Sequence, residues 1–359
     1  MKVKIIGAGS IGNHLTQASR QLGWEIAVVD ADQEALARMK TDIYPKRYGT
    51  WDESIKLYTP SEAPIGKFDV IFIGTPPDTH LKVATEVLKK EAPLVLQIEK
   101  PLCSPTLEGL EEFMAEVKKH PSTAIIVGFN HLVAENTIKT ENIIKNNSLG
   151  ALQSLDAEVR SHWGGILSAH PWLPGPEATY LGYWKRGGGA GGEHIHAINL
   201  WQHFAHFAGA GRVSEVSAEF DIVSDGKALY DRACYLNLIT EKNLFGRVVQ
   251  DVVTEPKRKV AILQFEKGHV EWQNDVTKTA DKVLFQPNGG KLETFDIEKK
   301  RTDEFLKETE HIAKILNGEI KIEDSPMRLE RGLNSILVLA AAHKSFQEKK
   351  IAKVNYNIF

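Results

Sequence analysis

The stretch KVKIIGAGSIGNHL, residues 2 to 15, decides the fold. Val3, Ile5 and Ile6 make a short apolar run that ends at Gly7, and Ile11, Leu15, Ala18 and Leu22 then recur at helical spacing. Strand, turn and helix follow one another, with Gly7, Gly9 and Gly12 forming GxGxxG in the turn. In such a turn the first glycine allows the tight bend, the second lets the backbone approach a pyrophosphate, and the third allows close helix packing. The helix N-terminus faces the anion. Gly7, Gly9, Ser10, Ile11 and Gly12 are therefore candidate dinucleotide-binding residues.

EIAVVD (25 to 30) reads as the second strand and ends at Asp30, where a carboxylate can accept from both ribose hydroxyls. A loop carboxylate or helix cap is the plain alternative. ADQEA (31 to 35) contains no Lys or Arg to meet a 2′-phosphate, which Asp30 would repel, so NAD is favoured over NADP. Further out, Gln33 to Met39 reads as a helix, FDVIFIG (68 to 74) as a strand, residues 79 to 90 as a helix, and Leu94 to Ile98 and Ala124 to Gly128 as strands. The alternation implies a parallel, doubly wound sheet.

After Gly150 the texture changes. SLDAEVRS, VSEVSAEFDIV, RACYLNLIT, GRVVQDVV, KVAILQFEKGHVEWQ and KVLFQPNG alternate apolar and polar residues, the pattern of an antiparallel sheet. Residues 303 to 318 and 326 to 348 read as helices. The expected class is α/β, with a dinucleotide-binding domain over 1–125 and a second domain over 126–359 for substrate binding and assembly, whose closing helix packs back on the first.

With 359 residues, two domains are expected, and 42% apolar and 25% charged residues suit a globular enzyme-like chain. A formal charge of -3 offers no footprint for nucleic acid or an anionic membrane, so a small-molecule partner is favoured. Cys103 and Cys234 are too few for a disulfide framework and lack zinc-site spacing, so no metal is expected. No signal-type or membrane-length apolar run occurs, and the expected location is cytoplasmic.

TPPDTH (75 to 80) follows a parallel strand, where ligands of open α/β sheets bind. Thr75, Pro76 and His80 are thus placed at the cofactor, while Asp78 or Thr79 capping the next helix is the plain reading. Glu99, Lys100 and Pro101 also end a strand. Pro101 restricts Lys100, whose ammonium could stabilise a forming alkoxide beside a nicotinamide; a surface lysine paired with Glu99 is the alternative. In GGGAGGEHIHAINLW (187 to 201), helical geometry at about 100° per residue sends His194 and His196 to opposite faces, so they do not chelate one metal. The same geometry puts Glu193, His196, Asn199 and His203 on one polar stripe, with the glycines a flexible approach to the helix. For Glu193 a helix-terminal carboxylate is as good a reading as a substrate contact.

Residues 160 to 186 hold three Trp and two Tyr with basic residues at both ends. Trp163, Tyr183 and Trp184 could stack on a sugar face or nucleobase and Arg186 could meet an anion, or the loop simply tucks aromatics onto the sheet. Phe129, Asn130 and His131 follow the sixth strand and are further candidates for substrate contact.

Taken in order, GAGSIG, TPPDTH, EKPL (99 to 102), GFN (128 to 130) and GGGAGGEHIHAINLW resemble the Gfo/Idh/MocA family of NAD(P)-dependent oxidoreductases, and SPMRLERGLNSILVLAAAHKS resembles its closing helix. The resemblance implies a Rossmann domain, a second domain with a large open antiparallel sheet, and assembly through that sheet as a homodimer or homotetramer. It implies sugars, cyclic polyols or nucleotide sugars as substrates. It implies cofactor contacts at Glu99 and Lys100, a catalytic or substrate-orienting Lys100, and His196 as acid/base within H-x-x-[D/N]. Asn199 stands where Asp is commoner, and Gly192 where many members carry an acid; Glu193 matches the branch with GGGxxxExxH. The implied reaction is hydride transfer between NAD and a secondary alcohol carbon. An NAD-dependent glycosidase working by transient oxidation and a non-enzymatic NAD-binding regulator are the alternatives.

Overall fold

The computed structural model describes every residue except Lys67, Ala169, Pro171, Asp225, Arg301, Thr302 and Phe359. The chain divides into two compact units. The first comprises Met1–Cys103, Glu108–Asn130 and Thr302–Leu329, and the second Ser104–Leu107, His131–Arg301 and Glu330–Phe359. Among the described residues no helix is long and apolar enough to cross a membrane.

The first unit is built on β1 (Lys2–Ile6), β2 (Glu25–Val29), β3 (Lys56–Tyr58), β4 (Val70–Ile73), β5 (Val95–Glu99) and β6 (Ala124–Gly128). They run parallel in the order β3-β2-β1-β4-β5-β6, the doubly wound order with its switch point between β1 and β4. The central strands read as continuous apolar runs because both faces are covered: Val3, Ile5, Val28, Ile71, Phe72, Leu96 and Ile126 are all buried. Each such side chain contributes about 1.5 to 3 kcal/mol by leaving water. β3 has no sequence signature, being three residues of mixed polarity at a sheet edge. The helix expected over 33 to 39 closes at Arg38 and continues through a π-helical turn, Met39–Ile43, into the helix Tyr44–Tyr48.

The expected division at 125/126 is corrected by the structure, since it would cut β6 in half. Residues 303–329 also return to this unit: Met327 accepts from the backbone of Val127 at 2.8 Å, and Arg328 bridges Ile126. The helix Asp303–Leu316 packs on the helix Ser10–Gln21, with the rings of Phe305 and His14 stacked at 4.5 Å. Periodicity identified this helix but carries no information on which sheet it covers.

The second unit holds a nine-stranded sheet: β7 (Leu152–Arg160), β8 (Val213–Ser224), β9 (Leu229–Thr240), β10 (Phe245–Asp251), β11 (Arg258–Phe265), β12 (Gly268–Thr277), β13 (Ala280–Pro287), β14 (Glu293–Glu298) and β15 (Ala352–Lys353). The order is β14-β13-β12-β11-β7-β10-β9-β8-β15, antiparallel except for β7 beside β10. The helix His196–Phe207 lies on β7 and β10, where Trp201 is fully buried and its indole donates to Leu155 O at 2.7 Å. From the helix Leu329–Glu348, His343 is sandwiched between Trp184 and Phe220, with ring centroids 4.3 and 4.4 Å away.

Candidate active site

In the first unit, Gly7 lies at φ +112, and a Cβ there would sit 2.7 Å from Gly74 O, so β1 and β4 meet backbone to backbone at the switch point. At Gly12 a Cβ would be driven into the carbonyl of Gly7. Gly9 differs: nothing in the protein lies within 4 Å of a Cβ built on it. Gly9 also caps the helix Ser10–Gln21 without any side-chain cap, and no acidic residue sits in its first turn. The terminal N–H groups thus face an open, positive position suited to an anion. Asp30 stands beside this turn, its Oδ2 accepting from Ala8 N at 2.6 Å and its Oδ1 from Asp32 N at 2.9 Å. Arg47 donates to Ser10 Oγ at 2.9 Å. These residues fit a dinucleotide: the protein itself makes no use of the space at Gly9, and the Asp30 oxygens retain lone pairs for ribose hydroxyls.

The TPPDTH and EKPL turns are tied together by His80. Its Nδ1 lies 2.9 Å from Pro101 O and its Nε2 2.7 Å from Thr75 O, and the ring is buried. Burial pushes its pKa below the usual imidazole value, against the pull of the carbonyls. The ring nitrogens of His80 thus face backbone carbonyls of the two turns that carry Thr75, Pro76 and Lys100, and a neutral ring donates to one of them. The Thr79 hydroxyl lies 2.7 Å from Pro76 O and gives no cap bond to the helix His80–Lys90, so the capping alternative does not hold for Thr79.

Lys100 is half-buried and joined to Pro101 by a cis peptide. Glu99 is buried beneath it. Gln97 Nε2 donates to Glu99 Oε1 at 3.1 Å and to Glu308 Oε1 at 2.8 Å. Gly128 makes room for the pair, since a Cβ there would lie 2.7 Å from Glu99 Oε1 and 3.1 Å from Glu308 Oε1. Burial raises the Glu99 pKa to about 7 although the Lys100 charge opposes it. Burial and the Glu99 charge push Glu308 well above the carboxylate range. Asn130, half-buried, opens the turn Asn130–Val133 after β6.

In the second unit, His196 is half-buried and begins its helix, and its Nδ1 lies 2.8 Å from Nδ1 of His131. The expected continuous helix from Glu193 is broken: Gly189–Glu193 forms a separate short helix, and His194 and Ile195 turn the chain before His196. Glu193, half-buried, therefore does not share a helical stripe with His196. The remaining stripe is taken up internally. Asn199 is buried and donates to Ser335 Oγ at 3.0 Å, and His203 Nε2 lies 2.6 Å from Glu141 Oε1.

The glycine run is not a flexible approach. Residues 187 to 192 are buried, Gly189 has φ +74, and a Cβ at Gly188 or Gly192 would be driven into backbone carbonyls of Tyr180 or Gly187. Gly191 N donates to the buried Asp231 Oδ2 at 2.5 Å, and Gln250 reaches Ala190 O and Gly191 O at 3.2 Å each. Burial raises the Asp231 pKa to about 7.

Of the aromatic segment, Ala169 and Pro171 lie outside the described residues. Trp163 packs with Leu181, Ala190 and Val252. The Tyr183 hydroxyl donates to Lys227 O at 2.7 Å, Trp184 stacks on His343, and Arg186 is exposed.

Residues 1–129 match the family model described as oxidoreductase family, NAD-binding Rossmann fold, of the Gfo/Idh/MocA group. Over those residues the chain is similar to the Gfo/Idh/MocA oxidoreductases. Solved structures extend the likeness of fold beyond the family's Rossmann part. A levoglucosan dehydrogenase in complex with NADH is 15% identical with a TM-score of 0.77, over 99% of each chain. An aldose-aldose oxidoreductase from Caulobacter crescentus complexed with glycerol is 14% identical with a TM-score of 0.75, over 98% of this chain and 99% of the other. An oxidoreductase domain protein from Kribbella flavida is 16% identical with a TM-score of 0.77, over 98% of each. No curated protein sequence matches.

Sequence reasoning missed Glu308 and Asp231 and did not see His131 as the partner of His196. Asp231 had a signal, an acid at an inward position of an alternating strand. Glu308 had none, because its contact with Gln97 spans 211 residues.

Proposed function

We propose that the chain is an NAD-dependent dehydrogenase or reductase acting on a secondary alcohol carbon of a sugar, cyclic polyol or nucleotide sugar. The observation that carries this reading is the cradle at Gly9: an uncapped helix N-terminus, open space where any side chain would intrude, and a carboxylate at the end of β2. Gly7 to Gly12 would hold the pyrophosphate, Asp30 the ribose hydroxyls, and Thr75 and Pro76 the nicotinamide side. When bound, NAD supplies the hydride acceptor or donor. NAD is favoured over NADP because Asp30 repels a 2′-phosphate and Arg38 is already bonded to Asp32 at 3.0 Å and Glu34 at 3.3 Å.

In the oxidising direction His196 takes the proton of the substrate hydroxyl, and the Lys100 ammonium stabilises the oxygen as it becomes an alkoxide. Levoglucosan dehydrogenase and aldose-aldose oxidoreductase, similar in fold, lend support to a sugar-like substrate. Assembly of copies through the nine-stranded sheet is part of this reading, with exposed Tyr235 and Phe245 on neighbouring strands as the apolar contribution.

The test is NADH absorbance during incubation with free sugars, inositols, uronates and nucleotide sugars, accompanied by thermal shifts with the same compounds and with NADH. Reduction of NAD by one substrate class is expected. Failure of NADH to bind or to raise the melting temperature would overturn the reading.

A further inference from the structure

The imidazole of His196 has no carboxylate from the position where many family members carry one. In this backbone none fits there, since a Cβ at Gly192 would be driven into the carbonyl oxygen of Gly187. The neighbour of its Nδ1 is another histidine, from a turn 65 residues earlier: the two Nδ1 atoms are 2.8 Å apart and the rings cross at 81° with centroids 4.8 Å apart. We infer that His131 is a positioning residue for the proposed reaction, fixing through a shared Nδ1 proton which nitrogen of His196 meets the substrate.

The argument is one of counting. Two lone pairs 2.8 Å apart repel, and two N–H groups clash, so the contact requires one proton between the rings. When His196 donates that proton, its Nε2 carries a lone pair and serves as the base. When His131 donates it, Nε2 of His196 carries a proton and serves as the acid. During oxidation the substrate O–H proton passes to Nε2 of His196, and the proton at Nδ1 can move to Nδ1 of His131. Charge is conserved: His196 ends with its one proton on Nε2 and a lone pair on Nδ1, His131 ends with a proton on each ring nitrogen, and the pair has changed from its neutral base form to its singly charged acid form.

His131 is built to hold this position. His131 is 8% exposed, and its ring lies edge-on to both His196 and Trp272 of β12, with the Trp272 centroid at 6.5 Å. Its carbonyl accepts from Thr137 Oγ1 at 2.6 Å, and that hydroxyl in turn accepts from Trp272 Nε1 at 3.0 Å. Unlike a carboxylate, a neutral imidazole orients His196 without adding negative charge beside it.

The inference rests on the dehydrogenase reading, so one measurement is chosen that does not need turnover. Nitrogen-15 spectra of the histidine side chains in the wild-type chain and in His131→Leu report the tautomer of His196 directly. A single dominant His196 tautomer in the wild type that becomes a mixture in His131→Leu, with NADH binding and melting temperature retained, is expected. An unchanged tautomer would overturn the inference while leaving the dehydrogenase reading untouched. Where a substrate is turned over, His131→Leu should lower kcat at least about tenfold with little change in the KM for NAD. His131→Asn, which puts a polar atom at the Nδ1 position, should recover much of it. His131→Asp should move the acidic limb of the kcat profile up by about one pH unit, since a carboxylate favours the charged imidazole. A wild-type rate and profile in His131→Leu would reject the inference.

Discussion

Glu99 and Glu308 accept hydrogen bonds from the same amide nitrogen, Nε2 of Gln97, although 209 positions of chain separate them. Both are buried, and two ionised carboxylates so placed repel, so the pair keeps at least one proton near neutrality. An acid whose pKa rises on folding binds its proton more tightly in the folded chain. Its stabilising contribution is complete below the unfolded carboxylate range and is lost as pH climbs toward about 7 for Glu99. Melting temperatures taken from about pH 5 to about pH 9, about four units centred on neutrality, should fall more steeply for the wild type than for Glu308→Gln. Parallel profiles would show that the pair does not titrate there.

Gly9 and Gly12 separate ligand space from packing space. Gly9→Ala should leave the melting temperature within about a degree, since nothing lies within 4 Å, yet weaken NADH binding at least about tenfold. Gly12→Ala should lower the melting temperature sharply, because the added carbon meets the Gly7 backbone. Fluorescence titration of NADH and thermal melts decide the matter; normal NADH binding by Gly9→Ala would remove the cofactor assignment from this turn.

Asp30 is expected to set the NAD preference. Asp30→Asn keeps an acceptor for Ala8 N and should reduce NAD affinity while raising the ratio of NADP to NAD binding by about tenfold or more. Dissociation constants for both reduced cofactors, measured on the same preparation, test this. A ratio unchanged from wild type would place the ribose elsewhere.

His196→Ala and Lys100→Ala should each lower turnover by about 10² to 10⁴-fold, the usual worth of positioned acid/base and electrostatic groups, while NADH affinity persists. Steady-state kinetics on whichever substrate the screen yields would expose a residue whose loss changes little as having no part in the chemistry.

The glycine run offers a stability test. Gly188→Ala and Gly192→Ala should each cost about 1 to 3 kcal/mol or more, because the new carbon meets backbone rather than a movable side chain. Denaturant unfolding of both variants is the measurement, and wild-type stability in either would restore the flexible-approach reading. Asp231→Asn should in addition flatten a decline in stability between the carboxylate range and about pH 7, the window in which burial keeps the folded acid protonated.

Much of the architecture was legible because it is written in short-range periodicity. GAGSIG between a strand and a helix, the apolar runs of β4 to β6 and the alternation from Leu152 onward each reflect local geometry that repeats every few residues. The turn after β1 was legible for the same reason: Gly7, Gly9, Gly12 and Asp30 lie within one strand, helix and strand. His80 was seen at the right turn, but its partners were not, since Thr75 O and Pro101 O are backbone atoms with no signature.

The sequence by itself determined the parallel and antiparallel sheets and the glycine turn, because periodicity and residue type act locally. Only the tertiary structure decided which groups face one another: Glu308 against Glu99, Asp231 beneath the glycines, and His131 against His196. Those pairings depend on where distant segments return, and burial, not residue type, then decides which of their protons stay.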